Sequence, residues 1–395
     1  MIYRDFQGEK LSALGFGTMR LPLIPGGGDT DIDRTRLDEM VDYAIANGIN
    51  YFDTAYPYHG SCSELAVGRS LSRYPRDKFN LATKYPGHQI SDSYDPAAVF
   101  EDQLRKCRVE YFDFYLMHNV NENSIKTYND PKWGIVEYFI EQKKLGRIRH
   151  LGFSAHGSVE NMREYLEKWG EHMEFCQIQL NYLDWTLQDA KGKCELLKQW
   201  NIPVWVMEPV RGGKLAKLDA ASEAKLMSLR PDESIPAWCF RWLQTVPQPM
   251  MVLSGMSDLE QMKDNVKTFS EHKPLSDEET ELLYAIAEGM KNTLPCTGCR
   301  YCCEGCPMGL DIPFLISLCN DMRVAKSVNI PARYESLPEE KKASACIGCG
   351  KCRAICPQKI DVPAAMVELA QKMSATKTWA EICREREAAA KKTKA

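Results

Sequence analysis

The stretch "CTGCRYCCEGCP" at 296–307 returns fifty positions later as "CIGCGKCRAICP" at 346–357. Both read C-x-x-C-x-x-C-x-x-x-C-P, and nothing like them occurs earlier in the 395-residue chain. Three cysteines at this short spacing wrap their thiolates around three corners of a cubane. The fourth, set before proline, reaches across to the other cluster of a two-cluster module. The spacing therefore predicts one 4Fe-4S cluster on Cys296, Cys299, Cys302 and Cys356, and a second on Cys346, Cys349, Cys352 and Cys306. Zinc also takes C-x-x-C pairs, but it fills its four positions from two of them and has no use for a third cysteine or for Cys-Pro.

The flanks are doubled too. "CPMGLDIP" (306–313) aligns without gaps on "CPQKIDVP" (356–363), as expected when a unit is duplicated whole. Between the runs, "IPFLISLCNDMRVAK" carries apolar residues at helical spacing. The module resembles the helix-rich two-cluster ferredoxin domains fused to many oxidoreductases. Of the 16 cysteines, Cys303 and Cys319 fall off the pattern and read as packing residues, Cys303 being the candidate substitute ligand. Cys62, Cys107, Cys176, Cys194, Cys239 and Cys383 read as small hydrophobes, and of these only Cys62 falls near a candidate active site. Closely spaced thiols share a metal rather than bridge distant loops, which implies a reducing compartment.

No apolar stretch approaches the ~18 residues of a membrane span, and "MIYRDFQGEK" lacks the apolar core of a secretory leader. The expectation is a cytoplasmic protein. A formal charge of −4 with 44% hydrophobic and 26% charged residues describes a globular chain with neither nucleic acid nor an anionic membrane as partner. The basic ending "AAAKKTKA" reads as a solvated tail.

The first 270 or so residues alternate. Short apolar runs occur at 14–19, 49–53, 79–84, 112–118, 149–154, 175–181, 202–208 and 250–254, with longer amphipathic stretches between them. One such stretch, 31–48, is expected to form a helix capped by Asp33. Strand then helix, eight times over, predicts an α/β fold of the (β/α)8 TIM barrel type over 1–272. A linker helix and the small helix-rich iron–sulfur domain then occupy 273–395. A doubly wound sheet is the alternative, but no G-x-G-x-x-G follows the first run. The opening "IYRDFQGEKLSAL" alternates and turns at Gly8, as a hairpin capping the closed end of the barrel would.

Seven of the eight runs end on a polar or ionisable residue: Asp53, Lys84, His118, Ser154, Asn181, Glu208 and Ser254. In a barrel these ends converge on one mouth, where active sites are built. Asp53 and Tyr58 in "FDTAYPYHG", Lys84 in "LATKYP" and His118 in "YLMHN" together make a machine for reducing carbonyls. Tyr58 would give the proton to the forming alkoxide, although a free phenol has a pKa near ~10. A Lys ammonium about 4 Å away contributes roughly 4 kcal/mol at an effective dielectric of ~20. That lowers the phenol pKa by about three units before desolvation takes some back. Asp53 would hold Lys84 charged and oriented, and His118 would direct the substrate oxygen.

In these residues the chain resembles the aldo-keto reductase superfamily over roughly 1–270: "DTAxxY", the third-run Lys, the fourth-run His, "GFS" and "QLNY" occur in order. With its tail, it is similar to the bacterial and archaeal members that carry a C-terminal iron–sulfur domain. The resemblance implies NAD(P)H across the mouth. Ser154, Gln179 and Asn181 would hold its carboxamide and backbone, and Ser254, Gly255, Asp264 and Asn265 the adenylate half. Thr18 and Met19 at the end of the first run, with Met207, Pro209, Arg211 and Gly212 at the seventh, complete the expected cofactor contacts. The chain departs from the family pattern at Met207, where many members stack an aromatic ring, and at Gly255 and Gln261, where many grip a 2′-phosphate. The choice among NADH, NADPH and FMN thereby stays open.

Three functions compete. The first is a reductase of an aldehyde or ketone, the clusters being an electron path. The second is an FMN-dependent reductase fed single electrons through the clusters by a ferredoxin or flavodoxin. Its flavin phosphate would sit at "RGG" (211–213) and "SGM" (254–256). The third is an electron carrier or scaffold without turnover, against which the intact Asp–Tyr–Lys–His set speaks. The loops that choose the substrate carry Tyr56, Tyr128, Trp133 and Trp185, an apolar lining with no decisive charge.

Overall fold

The computed structural model describes residues 1–395 except 90–92, 123, 291–292, 297, 299, 325–328, 379–380 and 382–395. The chain divides into two compact units, Met1–Tyr284 and Ala285–Ala395.

The first unit opens with an antiparallel hairpin, β1 (Tyr3–Phe6) and β2 (Glu9–Ser12). Its two turn residues, Gln7 at φ 52° and Gly8 at φ 87°, take the left-handed backbone that matches the twist of a tight hairpin. Eight further strands follow: β3 (Leu14–Gly17), β4 (Tyr51–Asp53), β5 (Asn80–Tyr85), β6 (Phe112–Val120), β7 (Ile148–Ala155), β8 (Phe175–Gln179), β9 (Val204–Met207) and β10 (Pro249–Gly255). They pair in parallel and in chain order, and β10 returns to β3 to close the barrel.

The strands are short, and most of their residues are buried because helices cover the outside while side chains fill the inside. Phe6 and Leu11 of the hairpin pack with Tyr51, Phe114, Phe175 and Trp205 from the lower parts of four strands. The Phe6 ring lies 5.0 Å from Trp205, edge-on. The hairpin thus plugs the amino-terminal end and leaves the carboxyl-terminal end as the open face.

The first crossover helix, Arg34–Ala46, begins where expected. The Asp33 carboxylate accepts from the Arg36 amide at 3.1 Å, and Leu37, Met40, Val41 and Ala44 form the buried stripe. The first compact unit runs through Tyr284 and so takes in the start of the helix Asp277–Met290, which is packed on the barrel. Glu279 there receives two hydrogen bonds from Arg230, both at 2.6 Å, and the Trp242 indole donates to the Tyr284 hydroxyl at 3.3 Å.

The second unit is helical. Its two longest helices among the described residues, Ile312–Val324 and Val362–Ser374, share one apolar core that includes Leu315, Leu318, Met366 and Leu369. Both doubled flanks use their aspartate in the same way: Asp311 accepts from the Phe314 amide and Asp361 from the Ala364 amide, each at 3.3 Å.

Among the described residues, no helix is long and apolar enough to cross a membrane.

Candidate active site and cluster cavities

β4 ends on Asp53, 2% exposed, and β5 carries Lys84, wholly buried, one residue before its own end. The Lys84 ammonium donates to Asp53 Oδ1 at 2.5 Å and to the Thr54 carbonyl at 2.7 Å. Burial pushes the Asp53 carboxyl up and the Lys84 ammonium down, and the partner's charge opposes each shift. Behind this pair, the Ser63 hydroxyl lies 3.0 Å from that of Thr18 and 2.9 Å from that of Thr54, tying the end of β4 to the helix Ser63–Leu71.

Tyr58 follows β4 in a turn closed by its amide on the Ala55 carbonyl at 3.2 Å. Its half-buried ring has the Lys84 ammonium 5.1 Å from its centroid and the His118 ring at 5.9 Å, edge-on. His118 sits on β6 at a register shift between Met117 and Val120, and Asn119 beside it has φ 57°. Such a bulge re-aims a side chain at the rim of a barrel. His118 Nδ1 is buried without a hydrogen-bond partner. The four residues expected to do the chemistry therefore lie together at the open face.

Sequence reasoning missed His88. The loop after β5 can pack on Tyr128 because Gly87 has no side chain; a Cβ there would lie 2.7 Å from the Tyr128 ring. The Tyr128 hydroxyl lies 2.6 Å from the His118 carbonyl and 3.1 Å from that of Tyr85. This packing brings the His88 ring to 4.6 Å from His118. Burial drives His118 well below the usual imidazole range, His88 to about 4 and His156 to about 3, so all three are neutral at neutral pH. A neutral imidazole, a phenol and a buried ammonium together can donate a proton and direct a carbonyl oxygen.

The expected cofactor residues divide. Ser154 accepts from the Asn119 amide at 2.7 Å and keeps its own proton to give. Gln179 donates to Asp184 at 2.7 Å, leaving its amide oxygen. Asn181 is bonded within the chain on both its amide nitrogen and its oxygen. It donates to Asp184 at 2.7 Å and to the Glu208 carbonyl at 3.0 Å, and its oxygen accepts from the amides of Leu183 and Asp184. That exhausts its capacity. The hub, Asp184, is wholly buried and takes Arg211 as well, at 3.1 and 3.2 Å. Only its place after "QLNY" hints at this in the sequence.

Thr18 is likewise turned inward, its hydroxyl donating to the Asp53 carbonyl at 2.9 Å. Ser254 pairs with Asn265 at 2.9 Å, both buried, and Asp264 accepts from Ser234 at 2.5 Å at the cap of the helix Ile235–Thr245. Ser254, accepting from Asn265, keeps its own proton as Ser154 does. Met19 and Gly255 are exposed, Met207 is half-buried and Pro209 is buried. Near "RGG", a Cβ on Gly212 would meet the Arg20 guanidinium at 2.8 Å and the Glu208 carboxylate at 3.3 Å. Arg20, which the sequence reading passed over, spans the loops after β9 and β10.

In the second unit, one cavity is lined by Cys306 together with Cys346, Cys349 and Cys352. A second is lined by Cys296, Cys302 and Cys356. Cys299 lies outside the described residues. The last cysteine of each run thus faces the other run's cavity, the crossed arrangement that the spacing predicts. Among the described residues, no three His, Cys, Asp or Glu side chains close around a single ion. A cubane asks instead for thiolates spread round a cavity, one to each iron, and the donor set fits it. Cys303 and Cys319 line neither cavity and pack in the apolar core.

Two family descriptions match the chain: "Aldo/keto reductase family" over residues 13–288 and "4Fe-4S dicluster domain" over residues 295–360. The NADH-specific methylglyoxal reductase of Escherichia coli is 25% identical over 327 residues, which span 71% of this chain and 96% of that protein. A probable aldo-keto reductase 1 of Glycine max is 33% identical over 159 residues, 38% of this chain and 42% of that one. Among solved structures, the holo form of aldo-keto reductase AKR11C1 from Bacillus halodurans superposes with a TM-score of 0.57 at 25% identity, covering 72% of this chain and 96% of its own.

Proposed function

Since the chain belongs to the aldo/keto reductase family and carries a 4Fe-4S dicluster domain, we propose that it reduces an aldehyde or ketone at the barrel mouth with Tyr58 as proton donor. The observation that carries this reading is the Tyr58 ring set between the Lys84 ammonium at 5.1 Å and the His118 ring at 5.9 Å. The phenol gives its proton to the substrate oxygen as negative charge develops there. Lys84 stabilises the phenolate left behind, and Asp53 holds the ammonium in place. His118, neutral, hydrogen-bonds the carbonyl oxygen and orients it.

A nicotinamide cofactor, when bound, supplies the hydride. The Ser154 hydroxyl and the Gln179 amide oxygen offer a donor and an acceptor, the pair complementary to a carboxamide. NADH is the better fit. The helix Leu259–Thr268 begins behind Asp258 and Glu260; Lys263 is paired to Glu260 at 2.7 Å, and Arg20 lies 4.0 Å from Glu208. A 2′-phosphate brought to that helix start meets carboxylates first. The E. coli relative is named as NADH-specific. Steady-state assays with both cofactors are expected to give a kcat/KM for NADH at least about tenfold above that for NADPH, one bidentate cation contact being worth ~1.4 kcal/mol or more. Equal values would refute the assignment.

The clusters are proposed as the electron path to a redox protein such as ferredoxin or flavodoxin. Flavin is the alternative occupant of the mouth, since it joins one-electron and two-electron chemistry. Flavin released on denaturing anaerobically prepared protein would favour it. Two four-iron clusters predict about eight iron atoms per chain. Cys356→Ser is expected to weaken the cluster on Cys296 and Cys302 while the one on Cys346, Cys349 and Cys352 persists, taking iron toward about four. Iron analysis with EPR reads the outcome, and loss of the Cys346-run cluster instead would rule out crossed ligation.

A further inference from the structure

The two halves of the iron–sulfur unit are copies, so a residue that breaks the symmetry stands out. After the second cysteine of the later run comes Gly350, at φ 74° and ψ −4°. The same position of the earlier run is Arg300, at φ 65° and ψ 1°. Both take the left-handed backbone, which glycine adopts freely and a residue with a Cβ adopts only under strain. Arg300 keeps the strained conformation and puts an arginine where its twin has no side chain.

Its surroundings are asymmetric as well. Arg300 lines the cavity of Cys296, Cys302 and Cys356, and among the described residues it is the one charged residue lining either cavity. Its guanidinium is held by Asp311 at 3.1 and 3.2 Å. The matching aspartate, Asp361, is also paired to an arginine, Arg353 at 3.3 Å, but that residue follows Cys352 in the chain and lines neither cavity. The cavity of Cys306, Cys346, Cys349 and Cys352 is otherwise walled by apolar residues such as Met308, Ile312, Ile347 and Met366. Lys341, which reaches the flank after Cys306, is turned onto the carbonyls of Met308 and Gly309 at 2.9 and 3.1 Å and does not line it.

We propose that Arg300 is a redox-tuning residue, selectively stabilising the reduced state of the cluster on Cys296, Cys302 and Cys356, so that the two clusters of this chain are inequivalent. This rests on the cluster assignment above. Each cluster gains one negative charge when it takes one electron, and a fixed cation at the wall of one cavity favours that gain there and hardly at the other. Arg300 is 60% exposed, so water and Asp311 screen it and the effect is moderate. Electrons delivered to the unit then collect on the Arg300 side.

The test is an EPR-monitored reductive titration of the full-length, anaerobically purified protein with dithionite, reading a midpoint for each cluster. Arg300→Gln is expected to lower one midpoint by about tenfold in the reduction equilibrium, ~59 mV for one electron, and to leave the other in place. Asp311→Asn, which frees the guanidinium from its anion, is expected to raise that same midpoint. Gly350→Arg is expected to raise the other one by adding the cation there; a Cβ at Gly350 meets nothing within 4 Å, and Arg300 shows that an arginine holds this left-handed backbone. Cluster signals present but both midpoints unmoved, or moved together, in Arg300→Gln would overturn the role of Arg300. A protein without any cluster signal would overturn the ligand assignment, and this inference with it.

Discussion

Tyr58→Phe is expected to lower kcat for carbonyl reduction by about 10²–10⁴-fold, the range a positioned general acid contributes. The change removes one oxygen and leaves the ring. That ring is packed against Lys84, 5.1 Å from its centroid and held by Asp53, and against His118 at 5.9 Å. Folding and cofactor affinity are therefore expected to stay near wild type, which thermal unfolding and a cofactor fluorescence titration measure. A variant that binds cofactor normally and turns over slowly assigns the proton to Tyr58. Retention of most of the activity would move the proton elsewhere, and His118, neutral with an unpartnered Nδ1, becomes the first suspect.

The second large effect belongs to Lys84. Lys84→Met takes the cation from a pair in which Lys84 is wholly buried and Asp53 is 2% exposed. A buried charge left without its partner destabilises a fold by about 3–5 kcal/mol. Asp53 Oδ2 already has no hydrogen-bond partner, so the carboxylate has little else to lean on. The expected outcome is a marked loss of stability together with loss of turnover, since the phenolate is no longer stabilised. Asp53→Asn combined with Lys84→Met separates the two. Removing the stranded charge should recover much of the stability and none of the activity. A single variant as stable as wild type would show that the pair is not the buried ion pair described here, and an active double variant would end the role given to Lys84.

The grouping of these side chains was readable because its members end strands. Asp53, Lys84 and His118 each close a run of apolar residues, and a parallel barrel brings all such ends to one rim. His88 was not readable. It belongs to no run, and it reaches His118 only because Tyr128, forty residues on, packs over Gly87. The cofactor side reads differently. Thr18, Asn181, Ser254 and Asp264 have the right chemistry at the right strand ends, but each hydrogen-bonds inward to another element: Asp53, Asp184, Asn265 and Ser234 respectively. A polar residue at a strand end can bind a ligand or hold the scaffold, and nothing local tells the two apart.

The eight-strand order, the closing hairpin and the position of the cluster cysteines were determined by the sequence alone, because each follows from short-range rules. Period and length decide strand against helix, two left-handed residues decide a tight turn, and cysteine spacing decides which thiolates can share a cluster. Tertiary structure alone decided which side chains remain free to act. Asp184 gathers Gln179, Asn181 and Arg211 across two loops, and Arg300 lies at one cavity while its twin Gly350 adds no charge to the other. Hydrogen bonds and charges act through distances of a few ångströms, and those distances are set by packing between residues far apart in the chain.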